Sequence, residues 1–299
     1  MRRNPTLRAS IAVVALALLA TACGEQESLG GGDQKPQPSV AENPQFEAGT
    51  TMAKLAEAGT IRVGTKFDQP LFGQQGLNGE LTGFDPEIAR IIAAALGITP
   101  DKIQFVEAPS AQREELIKQG KADMVIATYT INNKRRAQIS FAGPYYTAGQ
   151  TLMVKSDNNK ITGQQSLRAA DARVCSVQGS ASSDNILAYI DPDQQTLFDV
   201  YSKCADALRT GQVDAVTTDN TILLGFVDGS NGQFKLVGDQ FTKEPYGIGI
   251  RKGDVAFCEF IDDTLTKAGE SGAYADAWES TAGKVAGPAP ALPKFDPCS

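Results

Sequence analysis

Alternating strand and helix patterns predict an α/β chain of two lobes, one inserted into the other and joined by two crossover strands. Three observations carry this. Strand-like and helix-like segments alternate between about residues 50 and 285, which implies largely parallel sheets with helices on their faces. Two breaks, at 155–162 (KSDNNKIT) and 238–245, interrupt the alternation, and a strand returns after the second. The 299 residues are 41% apolar and 21% charged, enough to build two cores. The expected division is 51–155 with 246–299 for the first lobe and 156–245 for the second.

In chain order, residues 60–65 (TIRVGT) read as a strand. Phe84, Asp85 and Pro86 open a helix with Asp85 at the cap and Pro86 first inside; Gly97 ends it. Ile88, Ile91, Ile92, Ala95 and Leu96 give that helix one apolar face. Residues 103–107 form a strand and 110–119 a helix capped by Ser110. A buried-type strand at 122–128 (ADMVIAT) precedes a short helix at 133–139 and a strand at 151–155. The second lobe takes strand 173–177, helices 182–189 and 202–209, strand 215–218, helix 221–227 and strand 235–236. Strand 246–251 (YGIGIR) and helices 256–268 and 274–278 complete the first lobe.

Charge and composition exclude several functions. Lys plus Arg is 28 against 35 Asp plus Glu, a net −7, so no cationic excess exists to hold a nucleic-acid backbone. The chain has no His, which removes His-based triads and His-ligated metal sites. No cofactor, metal or catalytic residue is expected.

The first residues set the compartment. Arg2, Arg3 and Arg8 flank a run of 10 apolar residues at 11–20, too short to span a bilayer but the length of a signal-peptide core. Ala20-Thr21-Ala22-Cys23-Gly24 follows and resembles a bacterial lipoprotein signal, although Ala20 stands where Leu is more usual. The expectation is removal of 1–22, lipidation of Cys23 and a flexible tether over 23–50, with ordinary secretion as the alternative. Cys175, Cys204, Cys258 and Cys298 remain, an even number in an exported chain. Their three connectivities stay open. Sequence-near pairing, 175–204 and 258–298, is the expected one, against free thiols or a four-cysteine metal site that no CxxC spacing supports.

Several polar residues fall at strand ends, where α/β sheets bind ligands. Thr128 and Thr130 lie two apart, so on a strand they share a side. Lys134, Arg135 and Arg136 stand in a first helical turn, where cations oppose the helix dipole unless an anion offsets them. The small-residue stretch at 178–184 (QGSASSD), with Ser180, Ala181 and Ser182, opens a helix and leaves N–H groups free for an anion. Asp219 follows strand 215–218 and can face an ammonium group or serve as a plain cap. Ser110 and Arg113 share one helix face, and Lys66 follows the first strand. Each signal alone also fits an ordinary structural role. Together they suit a small molecule with two carboxylates and one ammonium, of which glutamate and aspartate are the simplest.

VGTKFDQP at 63–70, LTGFDPEIAR at 81–90, ADMVIATYTINNKRRAQISFAGPYY at 122–146, TTDNTIL at 217–223 and YGIGIRK at 246–252 occur in one order. On these segments the core, about 55–285, resembles the family 3 extracellular solute-binding proteins of polar amino-acid ABC transporters. PSAQREELIKQG at 109–120 and the cysteines at 175 and 204 are similar to the glutamate-binding lipoproteins of actinobacteria. The resemblance implies a type II periplasmic-binding-protein fold with two hinge strands. It implies that Arg135 grips the ligand α-carboxylate, and that Thr128 and Thr130 bind the α-carboxylate and α-amino group. Asp219 is implied to bind the α-amino group, and Ser180, Ala181 and Ser182 to donate from the second lobe. Lys66, Ser110 and Arg113 fall where side-chain-carboxylate ligands occur, and Phe67 is the candidate aromatic cover. The implied protein is a monomeric lipoprotein on the outer face of the cytoplasmic membrane, with ABC permease subunits as partners and no enzymatic activity. A sensing lipoprotein with no permease is the rival.

Overall fold

A computed structural model describes residues 38–299. The signal-peptide and Cys23 readings, and the tether as far as residue 37, lie outside the described residues. The rest of the expected tether is not free. Ala41 N–H donates to the Ala94 carbonyl at 2.9 Å, and Phe46 packs edge-on against Phe260 at 5.5 Å. An unforeseen helix, Thr51–Ala58, follows.

Two five-stranded sheets organise the chain. In the first, Ile61–Thr65 runs parallel to Ile103–Glu107 on one side and Met124–Val125 on the other. Glu244–Ile250 lies antiparallel beside Met124–Val125 and pairs with the edge strand Ser140–Ala148. In the second, Val174–Val177 is flanked in parallel by Gln195–Phe198 and Ala215–Asp219, followed by Gln150–Lys155 and Phe234–Val237 in antiparallel pairing. A small antiparallel sheet of Asp68–Gln69, Gly73–Gln75 and Leu81–Thr82 extends the first lobe. Edge strand Ser140–Ala148 was not expected, because Gly143 and Pro144 interrupt its pattern. At a sheet edge, a proline costs no ladder bond.

The first core packs Ile88 and Ile92 of helix Phe84–Ala95 against Ile61, Val63 and Phe257, with Phe84 edge-on to Trp278 at 5.1 Å. Burying each such side chain stabilises by roughly 1.5–3 kcal/mol. Asp85 does not cap this helix. Gly83 does, at φ 128°, where an added Cβ would lie 2.5 Å from the Phe72 carbonyl oxygen. Asp85 is instead buried, accepting Thr128 N–H at 2.8 Å and the Tyr145 hydroxyl at 2.6 Å. Nor does Ser110 cap a continuous helix: Ser110–Gln112 is a 3₁₀ turn leading into Arg113–Lys118.

One lobe boundary shifts. Gln150–Lys155 is saturated on both sides by second-sheet strands, so the first crossover falls at Gly149 rather than after residue 155. The polar loop after 155 misled the division; it is a surface turn of the second lobe. The return crossover lies in 238–243, between Phe234–Val237 and Glu244–Ile250. The two crossovers touch. Phe241 N–H donates to the Gln150 carbonyl at 3.0 Å, and a Cβ on Gly149 would sit 2.8 Å from the Thr242 carbonyl oxygen. Glycine is needed there for the strands to pass side by side.

Cys175 is bonded to Cys204 and Cys258 to Cys298, the expected pairing. The first ties Val174–Val177 to helix Tyr201–Thr210; the second ties helix Val255–Ser271 to the chain end. For sequence separations of 29 and 40, the chain-entropy relation gives about 3.5–4 kcal/mol each. Replacing Cys175 and Cys204 by serine should therefore lower calorimetric stability by up to about 3.5 kcal/mol while leaving ligand affinity within about twofold, since neither lines the cavity described below. A large affinity loss in a folded variant would show that the bridge shapes the site. Among the described residues, no helix is long and apolar enough to cross a membrane.

Candidate functional site

Between the lobes lies a narrow cavity lined by Ser110, Arg113, Thr128, Thr130 and Arg135 from the first and by Ser180, Ala181, Ser182, Tyr201, Thr218, Asp219 and Ile222 from the second. Its mouth widens into a cleft bounded by Ala111, Lys134, Gln178 and Gly179. All the sequence-predicted site residues except Lys66 line this cavity. Lys66 is buried behind it, its ammonium donating to Ser110 Oγ at 2.9 Å. Phe67 does not line it.

The first-lobe wall is cationic. The Tyr129 ring lies 4.1 Å from the Arg113 guanidinium carbon and 4.9 Å from that of Arg135, contacts that orient both side chains. Arg113 Nη1 donates to the Ala127 carbonyl at 3.0 Å. Arg135 Nη1 donates to the Thr130 carbonyl at 2.6 Å, and Nη2 crosses to the Gly179 carbonyl at 3.2 Å. Its Nε stands 3.5 Å from Glu114. Each fork keeps donors for a carboxylate, which Arg binds with two parallel bonds. The short helix Asn133–Arg136 starts here because the Asn132 side chain accepts Arg135 N–H at 2.9 Å.

Crowding of these cations is visible in their proton affinities. Burial, then the neighbouring Arg113 charge, lowers Lys66 to about 7. Burial, then Arg135, lowers Arg113 to about 10. A bound anion would relieve both.

The second-lobe wall carries Asp219 at the end of Ala215–Asp219. Its carboxylate does not cap the following helix. It accepts the Tyr246 hydroxyl at 2.7 Å and Ser182 Oγ at 3.5 Å. Burial, then the charge of Glu244, raises it to about 7. Among the described residues no cation forms an ion pair with it. Ser180 caps the helix Ala181–Asn185, accepting Ser183 N–H at 3.0 Å. The first-turn N–H groups of Ala181 and Ser182 have no helical acceptor and border the cavity.

Thr128 and Thr130 reach the cavity by a different route from strand alternation. The ladder ends at Val125, and Thr128 turns at φ 46°, an uncommon conformation for a β-branched residue. Asp85 holds its N–H, and Gln69 Oε1 accepts its hydroxyl at 3.0 Å. Asp85 and Gln69 therefore act on the site through Thr128. Neither, nor Tyr129, Tyr201 or Tyr246, was expected from the sequence. A tyrosine at a helix or strand start looks like core. Thr218, one residue before Asp219 at a strand end, could have been found by the logic that located Thr128.

Two α/β lobes joined by paired strands around a buried interlobe cavity constitute the type II periplasmic-binding fold. The chain belongs to the bacterial extracellular solute-binding proteins, family 3, whose model matches residues 61–280. It is 34% identical over 277 residues to the glutamate-binding protein GluB of Corynebacterium efficiens, spanning 89% of this chain and 86% of that one. It is 35% identical over 273 residues to the ABC transporter glutamine-binding protein GlnH of Bacillus subtilis, spanning 90% and 95%. An ancestral arginine-binding protein bound to glutamine superposes with a TM-score of 0.70 at 35% identity, over 75% of this chain and 97% of that one. These relatives are binding proteins rather than enzymes.

Proposed function

We propose that this chain binds glutamate between its lobes and delivers it to an ABC permease. The observation that carries the reading is the charge bordering the cavity: Arg113 and Arg135, with Lys66 behind them, on one wall and Asp219 on the other. Glutamate offers two carboxylates and one ammonium, and each finds an opposite charge. Arg135 with the Ala181 and Ser182 N–H groups takes the α-carboxylate, Asp219 and Thr130 the ammonium, and Arg113 with Ser110 the side-chain carboxylate. Lys66 acts through Ser110. A basic ligand is disfavoured, because its side chain would meet buried cations. Calorimetry with the full set of standard amino acids tests this. Glutamate should bind most tightly, with aspartate and glutamine the nearest rivals; tighter binding of arginine or lysine would overturn the reading.

Binding should be strongest near pH 7. Below that, Asp219 in the empty site is protonated and must release its proton to meet the ammonium, so affinity falls with acid. Above it, Lys66 in the empty site is neutral and must gain a proton to balance the carboxylate held by Ser110 and Arg113, so affinity falls with alkali. The limiting slope on each side is roughly tenfold per pH unit. Titrations from pH 5 to 9 in buffers of different ionisation enthalpy should show proton release on the acid side and uptake on the alkaline side. A flat profile would mean that neither group changes state.

The sequence Ala20–Gly24 supports a lipid anchor at Cys23 on the outer face of the cytoplasmic membrane. Cys23→Ser should then abolish acylation and move the protein from the detergent to the aqueous phase. Unchanged partitioning would count against the anchor.

A further inference from the structure

We propose that Asp68 is a closure latch: a first-lobe carboxylate that caps a second-lobe helix only when the cleft is shut. Helix Tyr201–Thr210 lacks a cap of its own. Val200 occupies the cap position, extended at φ −138°, and its side chain has no acceptor. The N–H of Ser202, the donor that a local cap would take, goes instead to Asp68 Oδ2 at 3.0 Å, 134 residues away in sequence and across the cleft. The adjoining residues mark the same seam. Gln69 accepts the hydroxyl of cavity-lining Thr128 at 3.0 Å. The carbonyl oxygen of Pro70 would lie 2.6 Å from a Cβ on Gly225, so the second-lobe helix Asn220–Asp228 rests directly on this loop. Three consecutive first-lobe residues thus touch two second-lobe helices and one wall of the site.

A cap supplied from the same lobe would persist through opening and closing. This one disappears when the lobes part, leaving Ser202 N–H and Asp68 to water. Its free energy therefore belongs to the closed state alone, and a ligand that needs closure gains it as affinity. The bond forms after the ligand is engaged, so its loss should appear in the dissociation rate rather than the association rate.

The inference rests on the reading that the cleft closes on glutamate. Stopped-flow glutamate binding to Asp68→Ala, Val200→Asp and the double variant tests it. Asp68→Ala should dissociate glutamate about fivefold faster, about 1 kcal/mol at tenfold per 1.4 kcal/mol, with the association rate unchanged. In the Val200→Asp background the helix carries its own cap, so the same substitution should change dissociation by less than about twofold. Val200→Ser serves the same purpose if the aspartate variant is unstable. Equal losses in both backgrounds would overturn the latch. They would place the effect of Asp68 on the charge of Lys66, which it favours through space. A lower melting temperature without a faster dissociation rate would also overturn it. Failure of the wild type to bind glutamate would reject the functional reading instead. The same stopped-flow comparison with whichever standard amino acid calorimetry finds to bind most tightly then decides the latch alone: Asp68→Ala should release it about fivefold faster, and an unchanged dissociation rate would reject it.

Discussion

Arg135→Ala should weaken glutamate binding by at least about thirtyfold. Truncating one partner of a buried charge pair costs roughly 2–5 kcal/mol, and about 1.4 kcal/mol is tenfold. The residue is 4% exposed, and its bonds to Thr130 and Gly179 leave part of the guanidinium fork pointing at the cavity. Two losses combine in the variant. The α-carboxylate loses its bidentate partner, and the closed cleft loses the bond from the first lobe to Gly179 in the second. Arg135→Lys separates them in part, because it keeps the charge but not the planar fork. It should bind between wild type and Arg135→Ala. Calorimetric titration with the fold checked by circular dichroism measures both. A loss under about threefold in a folded Arg135→Ala protein would make this residue an interlobe strut without ligand contact.

Arg113→Ala should change selectivity more than any other single substitution. With glutamate bound, the variant leaves a side-chain carboxylate short of its charged partner, a loss of roughly 2–5 kcal/mol. With glutamine bound, it removes a bond from the guanidinium to a neutral amide oxygen but also a buried cation that glutamine leaves without a counter-charge, so the net loss is smaller. Glutamate affinity should therefore fall at least about thirtyfold and glutamine affinity less than about tenfold, narrowing or reversing the preference. The Tyr129 ring and the Ala127 carbonyl hold Arg113 in place, so the wild-type side chain is already ordered before the ligand arrives. Lys66→Ala should act in the same direction but more weakly, since Lys66 reaches the site only through Ser110 Oγ. Aspartate, one methylene shorter, should bind more weakly because its carboxylate cannot reach Arg113 while Arg135 holds the other end. Equal losses for glutamate and glutamine in Arg113→Ala would show that Arg113 does not read the side chain.

The sequence by itself determined the class of fold, the order of most elements and most of the residues that carry charge into the cleft, and it left the cysteine pairing for the structure to decide. Periodicity and capping chemistry are local, and a strand end followed by a helix start is enough to place Arg135, Ser180 and Asp219 on the cavity side of their sheets. Tertiary structure decided what depends on a partner far along the chain. Asp85 satisfies every local rule for a helix cap, yet it is buried against Thr128 and Tyr145, because Gly83 tucks the chain under Phe72 and carries the helix inward. Gln150–Lys155 has an ordinary strand pattern. Only its pairing with Ala215–Asp219 and Phe234–Val237 assigns it to the second lobe and puts the hinge at Gly149. Lys66 sits a layer behind the cavity that Arg113 lines, and Asp68 accepts a bond from a helix of the other lobe. Side-chain alternation reports which face of an element is buried. Which groups meet across that face is set by through-space packing and the need to satisfy each buried polar atom, and neither is written in residue spacing.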